Sequence, residues 1–381
     1  MITGLFLFYT LSCVLYIMLF MLYAYGWYRT AGPAISGAGI PVTTVDIVIA
    51  ARNEEHNIAA CINSLLAQDY HPELFRIIVA DDHSTDRTAT IVRGYDPSRV
   101  QLIRMQDMPD YGAVSFKKMA LAAGINAGKG ALIITTDADC IAPPQWLSTM
   151  VGCFEQTNAV LIAAPVRFVP LPSLAGLFQS LDFMAMQGIT AATVRLNLGI
   201  MCNGANLAFT REAYTAVNGY EGISHIVSGD DYLLMMKIRK KFPGAIRYLR
   251  QKTAIIDTLP QPDWRSFFRQ RIRWASKTGK YDDPGMTWIL LLVYLFNLSA
   301  LVSAMLLIFY PAFSGIFITL IVAKILMEWA FLLPVSLFYN RSVQLLFFPF
   351  LQPLHILYIV VAGFLSTVGK YSWKDRTVQQ R

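Results

Sequence analysis

The sequence predicts an α/β domain built on a mostly parallel sheet, accompanied by about four transmembrane helices. Three observations carry this expectation. Short apolar strands alternate with helical segments over residues 45–139, the pattern of a parallel sheet covered by helices. Apolar residues make up 55% of the 381 positions, too many for an ordinary soluble domain. The excess is also concentrated, in the first 28 residues and after Met286.

The elements follow in chain order. Residues 4–28 carry no charged side chain and are long enough to cross a bilayer, since about 20 apolar residues suffice. The start lacks the basic residue of a signal peptide, and the run ends in Tyr and Trp as interfacial belts do, so residues 1–28 read as a retained anchor. Residues 29–44, rich in Gly, Pro and small side chains, read as a linker. Strands are expected at 45–51, 75–82, 100–105 and 131–139, with helices at 55–67, 85–95 and 116–127 between them. Residues 145–285 are less regular. A strand is expected at 159–169, a strand running into a helix at 206–220, and a basic helix from Gly229 to Lys241. Residues 263–285 are dense in Arg, Trp and Phe, as in a helix lying along a membrane surface. The catalytic domain is thus expected over 45–262, with a membrane region at 286–369 and a basic tail at 370–381.

The membrane region divides into runs at 286–310, 314–338 and 343–368. Lys324 and Glu328 stand one helical turn apart in the second, where an ion pair between packed helices would reduce the cost of burial. Pro349 and Pro353 interrupt the third, which makes a re-entrant or interfacial segment the alternative to a crossing. The net charge is +7, and much of it lies between Lys237 and Lys280, beside the second membrane run. Positive residues on the cytoplasmic side of a bilayer account for that placement better than nucleic acid does. The basic tail conflicts with this rule if all three later runs cross. Five cysteines (13, 61, 140, 153 and 202) show no metal-ligand spacing and read as reduced thiols.

Two acidic clusters fall at predicted strand ends, where parallel α/β sheets bind their ligands. Asp137 and Asp139 are separated by one residue, which along an extended chain puts them on one side. Two such carboxylates repel unless a cation compensates, and a Mg2+ or Mn2+ ion bridging to a diphosphate would do so. Asp81 and Asp82 end the earlier strand. Ser84, Thr85 or Asp86 could serve simply to cap the next helix, but capping does not explain two acids within the strand end.

The run V-I-A-A-R-N-E-E-x-N-I (48–58), then V-A-D-D-H-S-T-D-R-T (79–88), K-x-x-A-L (117–121) and D-A-D (137–139), resembles the family 2 glycosyltransferases in order and spacing. So do N-G-A-N-L-A-F (203–209), G-D-D-Y-L (229–233) and Q-R-I-R-W (270–274), and together the motifs cover residues 45–280. The resemblance implies a GT-A nucleotide-binding domain. It implies that Ala51 and Glu54 lie near the nucleoside, that Asp82 rather than Asp81 contacts the base, and that Lys117 approaches the nucleoside. It implies that Asp137 and Asp139 bind diphosphate and metal, with Asp137 also counted among the nucleotide ligands. Aligning the final acid of Gly229-Asp230-Asp231 with the relatives' Thr-Glu-Asp makes Asp231 the general base, which an acceptor hydroxyl needs. Asp230, Gln270, Arg271, Arg273 and Trp274 are implied for diphosphate or acceptor. Asn203 and Gly204 are implied for the acceptor-facing loop. Helix N-terminal acids and an interfacial basic helix are the plain alternatives for Asp230–Asp231 and for Gln270–Trp274.

The function implied is an inverting, metal-dependent transfer of a sugar from a UDP-sugar donor onto a growing polysaccharide. The alternative acceptor is a membrane lipid, and a catalytically dead scaffold ranks last because the metal acids and base are present. The expected setting is the plasma (inner) membrane with the catalytic domain in the cytosol, no nucleic-acid partner, and a membrane partner or homo-oligomer if a translocation channel is built.

Overall fold

The computed structural model describes residues 2–30, 42–108, 116–224, 226, 229–275, 283–368, 371–373 and 376–378. The chain divides into two compact units, one of Ala31–Val169 and Met201–Leu259, the other of Met1–Thr30, Pro170–Ile200 and Pro260–Arg381. The first helix, α1 (Ile2–Arg29), belongs to the second of these, the helical unit.

In the α/β unit, β1 (Val45–Ala51), α2 (Ile58–Leu66), β2 (Phe75–Asp81), α3 (Thr88–Arg93), β3 (Val100–Arg104), α4 (Phe116–Ala127) and β4 (Leu132–Asp137) alternate as the sequence predicts. The four strands run parallel in the order β3-β2-β1-β4. Ile47, Val48 and Ile49 of β1 are fully buried, and β-branched side chains pack well on a pleated sheet. Gly124 of α4 permits a close approach to β1, because a Cβ there would come within 2.5 Å of Val48 Cγ1. The register aligns Ala51 with Asp81 and Ala50 with Asp137, so three adjacent strands end together on one edge.

Beyond β4 come α5 (Trp146–Gln156), β5 (Leu161–Ala163) and β6 (Val166–Phe168). The single strand predicted at 159–169 is broken at Pro165, which has no N–H to donate. After α6 (Leu174–Leu196) the chain continues with β7 (Leu207–Thr210), α7 (Arg211–Ala216), α8 (Asp230–Lys241), β8 (Ile246–Tyr248) and β9 (Ile256–Thr258). The antiparallel β7 extends the sheet on the β4 side, followed by β5 and β8, which makes seven strands, while β6 pairs with β9.

Boundaries differ from expectation in three places. The helix expected at 85–95 is shorter at both ends, running from Thr88 to Arg93. The helix expected from residue 55 begins at Ile58, because the Glu54 and Glu55 amides donate to Thr88 Oγ1 (2.8 Å) and Asp86 Oδ2 (3.0 Å). The strand expected to reach residue 139 stops at Asp137, whose carbonyl accepts from Cys140 N in a turn. Asp139 therefore sits in the turn, and strand alternation is not what brings it to Asp137. At the opposite end of β1, buried Asp46 accepts from Arg76 Nε (2.8 Å), Arg211 Nη2 (2.7 Å) and Gly130 N (2.6 Å). Asp46→Ala removes the carboxylate shared by two partly buried guanidiniums and the Gly130 amide, and is expected to cost about 3 kcal/mol. The check is thermal unfolding of the purified protein, with donor affinity unchanged on the folded fraction.

The helical unit holds α1, α6, α9 (Trp264–Ala275), α10 (Pro284–Leu306), α11 (Ser314–Phe338) and α12 (Phe348–Val368), and a hairpin of β10 (Tyr371–Trp373) and β11 (Arg376–Val378) within the basic tail. Residues 170–200, which the sequence groups with the catalytic domain, fall in this unit. The reason is the close packing of α6 on α1: a Cβ at Gly26 would lie 2.9 Å from Ala192 Cβ. Among the described residues, four segments are long and apolar enough to cross a membrane: Ile2–Arg29, Pro284–Leu306, Pro311–Phe338 and Ser342–Ser366. Inside them Lys324 Nζ meets Glu328 at 2.6 and 2.7 Å, and Gln352 Nε2 donates to Glu328 Oε2 at 2.9 Å. Tyr16 donates to the same carboxylate, so the pair anticipated from spacing ties together α1, α11 and α12.

Candidate active site

The site is assembled at the carboxyl edge of β1, β2 and β4. Asp82 follows β2; its amide donates to Ala51 O at 2.8 Å, and its Oδ1 lies 3.0 Å from His83 Nδ1. Asp81 is buried, and its Oδ1 accepts from Ser84 N at 3.3 Å. Its Oδ2 is also buried and has no hydrogen-bond partner among the described residues. The loop after β1 is pinned to the loop after β2: Asn53 N donates to Ser84 Oγ (3.0 Å), and Thr85 N donates to Asn53 Oδ1 (2.9 Å). Asn53 and His83 both adopt positive φ in these turns. Asp86 Oδ1 accepts from the Thr88 amide at the start of α3 (2.9 Å), and Asp86 Oδ2 accepts from Glu55 N (3.0 Å).

Glu54, Asp137 and Asp139 share one negative patch. Burial, then the charges of Asp137 and Glu54, push the Asp139 carboxyl up to about 6. The thiols of Cys61 and Cys140 are raised by burial and again by Asp139 and Asp137. Lys117, from the first turn of α4, is the cation that faces the patch. Its Nζ lies 2.8 Å from Asp137 Oδ1 and 3.5 Å from Asp230 Oδ2. Burial opposes the ammonium charge, but Asp137, Asp230 and Asp231 outweigh it and hold Lys117 above the usual lysine range.

Asp230 and Asp231 open α8 after Gly229, which takes a φ of +81° that side chains other than glycine rarely adopt. Asp231 is fixed by backbone donors: Gly204 N to Oδ2 at 3.0 Å and Tyr232 N to Oδ1 at 2.7 Å. A Cβ on Gly204 would sit 3.3 Å from Asp230 Oδ2 and 3.4 Å from Asp231 Cβ, so the loop lies against both acids. Asn203 turns that loop by accepting from Ala205 N. The structure thus brings together Ala51 with Asp82, Glu54 with Asp137 and Asp139, and Lys117 with Asp137, Asp230 and Asp231. Gln270, Arg271, Arg273 and Trp274 lie on α9 of the helical unit.

Among the described residues, no three His, Cys, Asp or Glu side chains converge on one point. Asp137 and Asp139 still suit a divalent cation of the magnesium type, which takes one or two carboxylates and completes its shell with phosphate oxygens and water. Burial first, and then the Asp137 and Glu54 charges, disfavour the Asp139 carboxylate, a cost that such an ion would offset. Because the ion displaces the proton, Mn2+ affinity is expected to fall as pH drops through about 6, and to be nearly flat above pH 7. Calorimetric titration with Mn2+ and UDP across this range checks it; a flat affinity down to pH 5 would reject Asp139 as a ligand.

Sequence reasoning missed Lys118. It is 1% exposed, and its Nζ donates to Ile223 O at 3.0 Å and to Ile226 O, anchoring the segment that precedes Gly229. A lysine in a first helical turn reads as solvated, and no local signal distinguishes this one.

Comparison with known proteins converges on one group. The chain matches the family Glycosyl transferase family 2 over residues 46–214 and Glycosyl transferase family group 2 over residues 132–368. It is 26% identical over 263 residues to an N-acetylglucosaminyltransferase of Rhizobium meliloti (65% of this chain, 59% of that protein). It is 27% identical to the Escherichia coli UDP-Glc:alpha-D-GlcNAc-diphosphoundecaprenol beta-1,3-glucosyltransferase WfaP, over 56% of this chain and 75% of that one. It is 27% identical to the glycosyltransferase AglE of Haloferax volcanii, over 32% of this chain and 40% of that protein, so the chain spans well under two thirds of some relatives. In fold it is similar to a mannosyltransferase of Pyrobaculum calidifontis, solved with GDP-Man and Mn2+, at a TM-score of 0.59 and 16% identity. That match covers 96% of this chain and 99% of that one.

Proposed function

The chain belongs to Glycosyl transferase family group 2, and from that premise we propose that it transfers a sugar from a nucleotide donor to a membrane-held acceptor with inversion at the anomeric carbon. The observation that carries the reading is the convergence of Lys117, Asp137, Asp230 and Asp231 at the carboxyl edge of the sheet. Ala51, Glu54 and Asp82 hold the nucleoside, with Asp82 on the base. The unpartnered Oδ2 of Asp81 makes that neighbour the alternative base contact. Lys117 leaves the carboxylates to approach the donor. Asp137 and Asp139 would hold the cation, which when bound neutralises charge developing on the leaving diphosphate.

Asp231 takes the proton of the acceptor hydroxyl. The hydroxyl oxygen bonds to the anomeric carbon from the face opposite the diphosphate. The carbon–oxygen bond to phosphate breaks, and its electron pair leaves with the nucleotide. Gly204 N and Tyr232 N keep the carboxylate aimed while it does this. Asn203 and Gly204 shape the acceptor loop, and Asp230, Gln270, Arg271, Arg273 and Trp274 are assigned to the diphosphate or acceptor by their motifs.

A lipid-linked acceptor is the favoured reading. The E. coli relative's name specifies such an acceptor, and four helices able to cross a membrane would keep the enzyme at its substrate. Polysaccharide extension is the second reading, supported by the Gln-x-x-Arg-Trp run. A UDP donor is proposed, and GDP is the competitor because the archaeal neighbour carries GDP-Man. The test incubates membranes containing the enzyme with radiolabelled UDP- and GDP-sugars and sizes the product. One sugar on extractable lipid supports the favoured reading, a ladder or high polymer supports the second, and no transfer from any donor rejects both. The proposed setting remains the plasma (inner) membrane with the α/β unit facing the cytosol, where nucleotide sugars are made.

A further inference from the structure

Arg271 is the first of two arginines in the Q-R-I-R-W run. Unlike Arg265 and Arg269 on the same helix, which are exposed, it is 2% exposed. All three of its guanidinium nitrogens donate to a side chain. Nε and Nη2 donate to Asp182 Oδ2 of α6 at 3.0 and 2.7 Å, and Nη1 donates to Gln270 Oε1 at 3.0 Å. Its plane lies 4.8 Å from the Phe267 ring centroid and 4.3 Å from that of Trp274. Asp182 is itself buried, and its other oxygen, Oδ1, lies 3.9 Å from His355 Nε2 of α12. Gln179, one turn earlier on α6, is fully buried and grips the chain just before α9: Nε2 donates to Gln261 O and Oε1 accepts from Gln261 N, both at 2.9 Å.

Arg271, which stacks on Trp274 and donates to Gln270, is therefore held through the Asp182 carboxylate. A guanidinium stacked on an indole face restrains the ring, and a buried ion pair restrains the guanidinium. Burying such a pair yields little net stability, since desolvation offsets the attraction. Its use lies in orientation.

We infer that Asp182 and Arg271 are positioning residues: the Asp182–Arg271 pair sets the orientation of Gln270 and Trp274, which are the side chains of this segment that meet the donor or acceptor. Arg271 acts through its neighbours and leaves Arg273 as the arginine that contacts ligand. The inference rests on the reading that the Gln270–Trp274 segment takes part in transfer. It adds Asp182, a residue outside every motif of the sequence, and reassigns Arg271 from contact to support.

The experiment measures kcat and donor KM of the full-length enzyme in membranes for Asp182→Asn, Asp182→Glu, Arg271→Gln, the double variant Asp182→Asn/Arg271→Gln, and Trp274→Ala. Each single neutral variant is expected to lose about 10²-fold in kcat, the scale of a misplacement near 1 Å, with donor KM little changed. The double variant is expected to lose no more than the worse single, because the two act as a unit. Asp182→Glu restores part of the rate by restoring the carboxylate, which a purely space-filling role would not allow. Where a single variant leaves an unpaired buried charge and fails to fold, the double variant decides, since it buries no charge. A folded double variant with wild-type kcat overturns the inference, as do additive losses. Trp274→Ala with wild-type turnover overturns the segment's role and the inference with it. A slow Trp274→Ala beside a fully active Asp182→Asn overturns the inference alone.

Discussion

Asp231→Asn is expected to lower kcat by about 10³-fold and to leave donor affinity within a factor of about 3, the range for removal of a general base. The amide is nearly isosteric with the carboxylate but cannot accept the acceptor's proton. Both carboxylate oxygens receive backbone donors, Gly204 N at 3.0 Å and Tyr232 N at 2.7 Å. An amide nitrogen must therefore face one of these N–H groups, which costs about 1–3 kcal/mol of stability for the lost hydrogen bond. The measurement is single-turnover transfer at saturating donor, beside calorimetric binding of the nucleotide. Equal loss of affinity and rate would make Asp231 a donor ligand and move the base elsewhere. Asp230→Asn supplies the contrast. Its carboxylate faces Lys117 at 3.5 Å, so its loss should weaken donor binding more than it slows the bound complex.

How much of this was legible in the sequence depends on the range of each interaction. The β1 and α4 boundaries follow from local pattern, because buried β-branched runs and a twelve-residue apolar periodicity each report their own environment. The motif acids lie at the strand ends that the alternation predicts, since Ala51, Asp81 and Asp137 are aligned by register. What failed was set by distant partners. The helix expected from residue 55 starts at Ile58 because residues 86 and 88 capture the Glu54 and Glu55 amides. The Pro165 break was visible as a proline, but the exchange of sheet partners across it was not. Residues 170–200 look like part of the domain that surrounds them in sequence, and only the approach of Gly26 to Ala192 reveals where α6 packs. Lys118 and Asp182 were invisible for a related reason: a buried charge is recognised by what neutralises it, and neither partner is near in sequence.

The second large effect concerns Asp139, where activity and stability are expected to move in opposite directions. Asp139→Ala should reduce metal-dependent transfer by about 10²-fold or more, the equivalent of ~3 kcal/mol of lost stabilisation of the leaving diphosphate. Without metal the same substitution should stabilise the fold. Burial, with Asp137 and Glu54, raises the folded carboxyl to about 6 against an ordinary value of 3.8. Between those values the native state binds more protons than the unfolded chain, so stability falls as pH rises through that window and the full cost is present above it. Removing the carboxyl removes the cost. Metal-free Asp139→Ala should thus melt above wild type at pH 7.5, and the gain should shrink as pH is lowered toward 4, where the wild-type group is neutral. Added Mn2+ with UDP should stabilise wild type and leave the variant unmoved. A variant that melts lower than wild type at pH 7.5 would mean that Asp139 holds the β4 turn together, and its loss of activity would then say nothing about metal. Asp46→Ala is the control for that outcome, because its carboxylate is neutralised by two arginines and its removal can only destabilise.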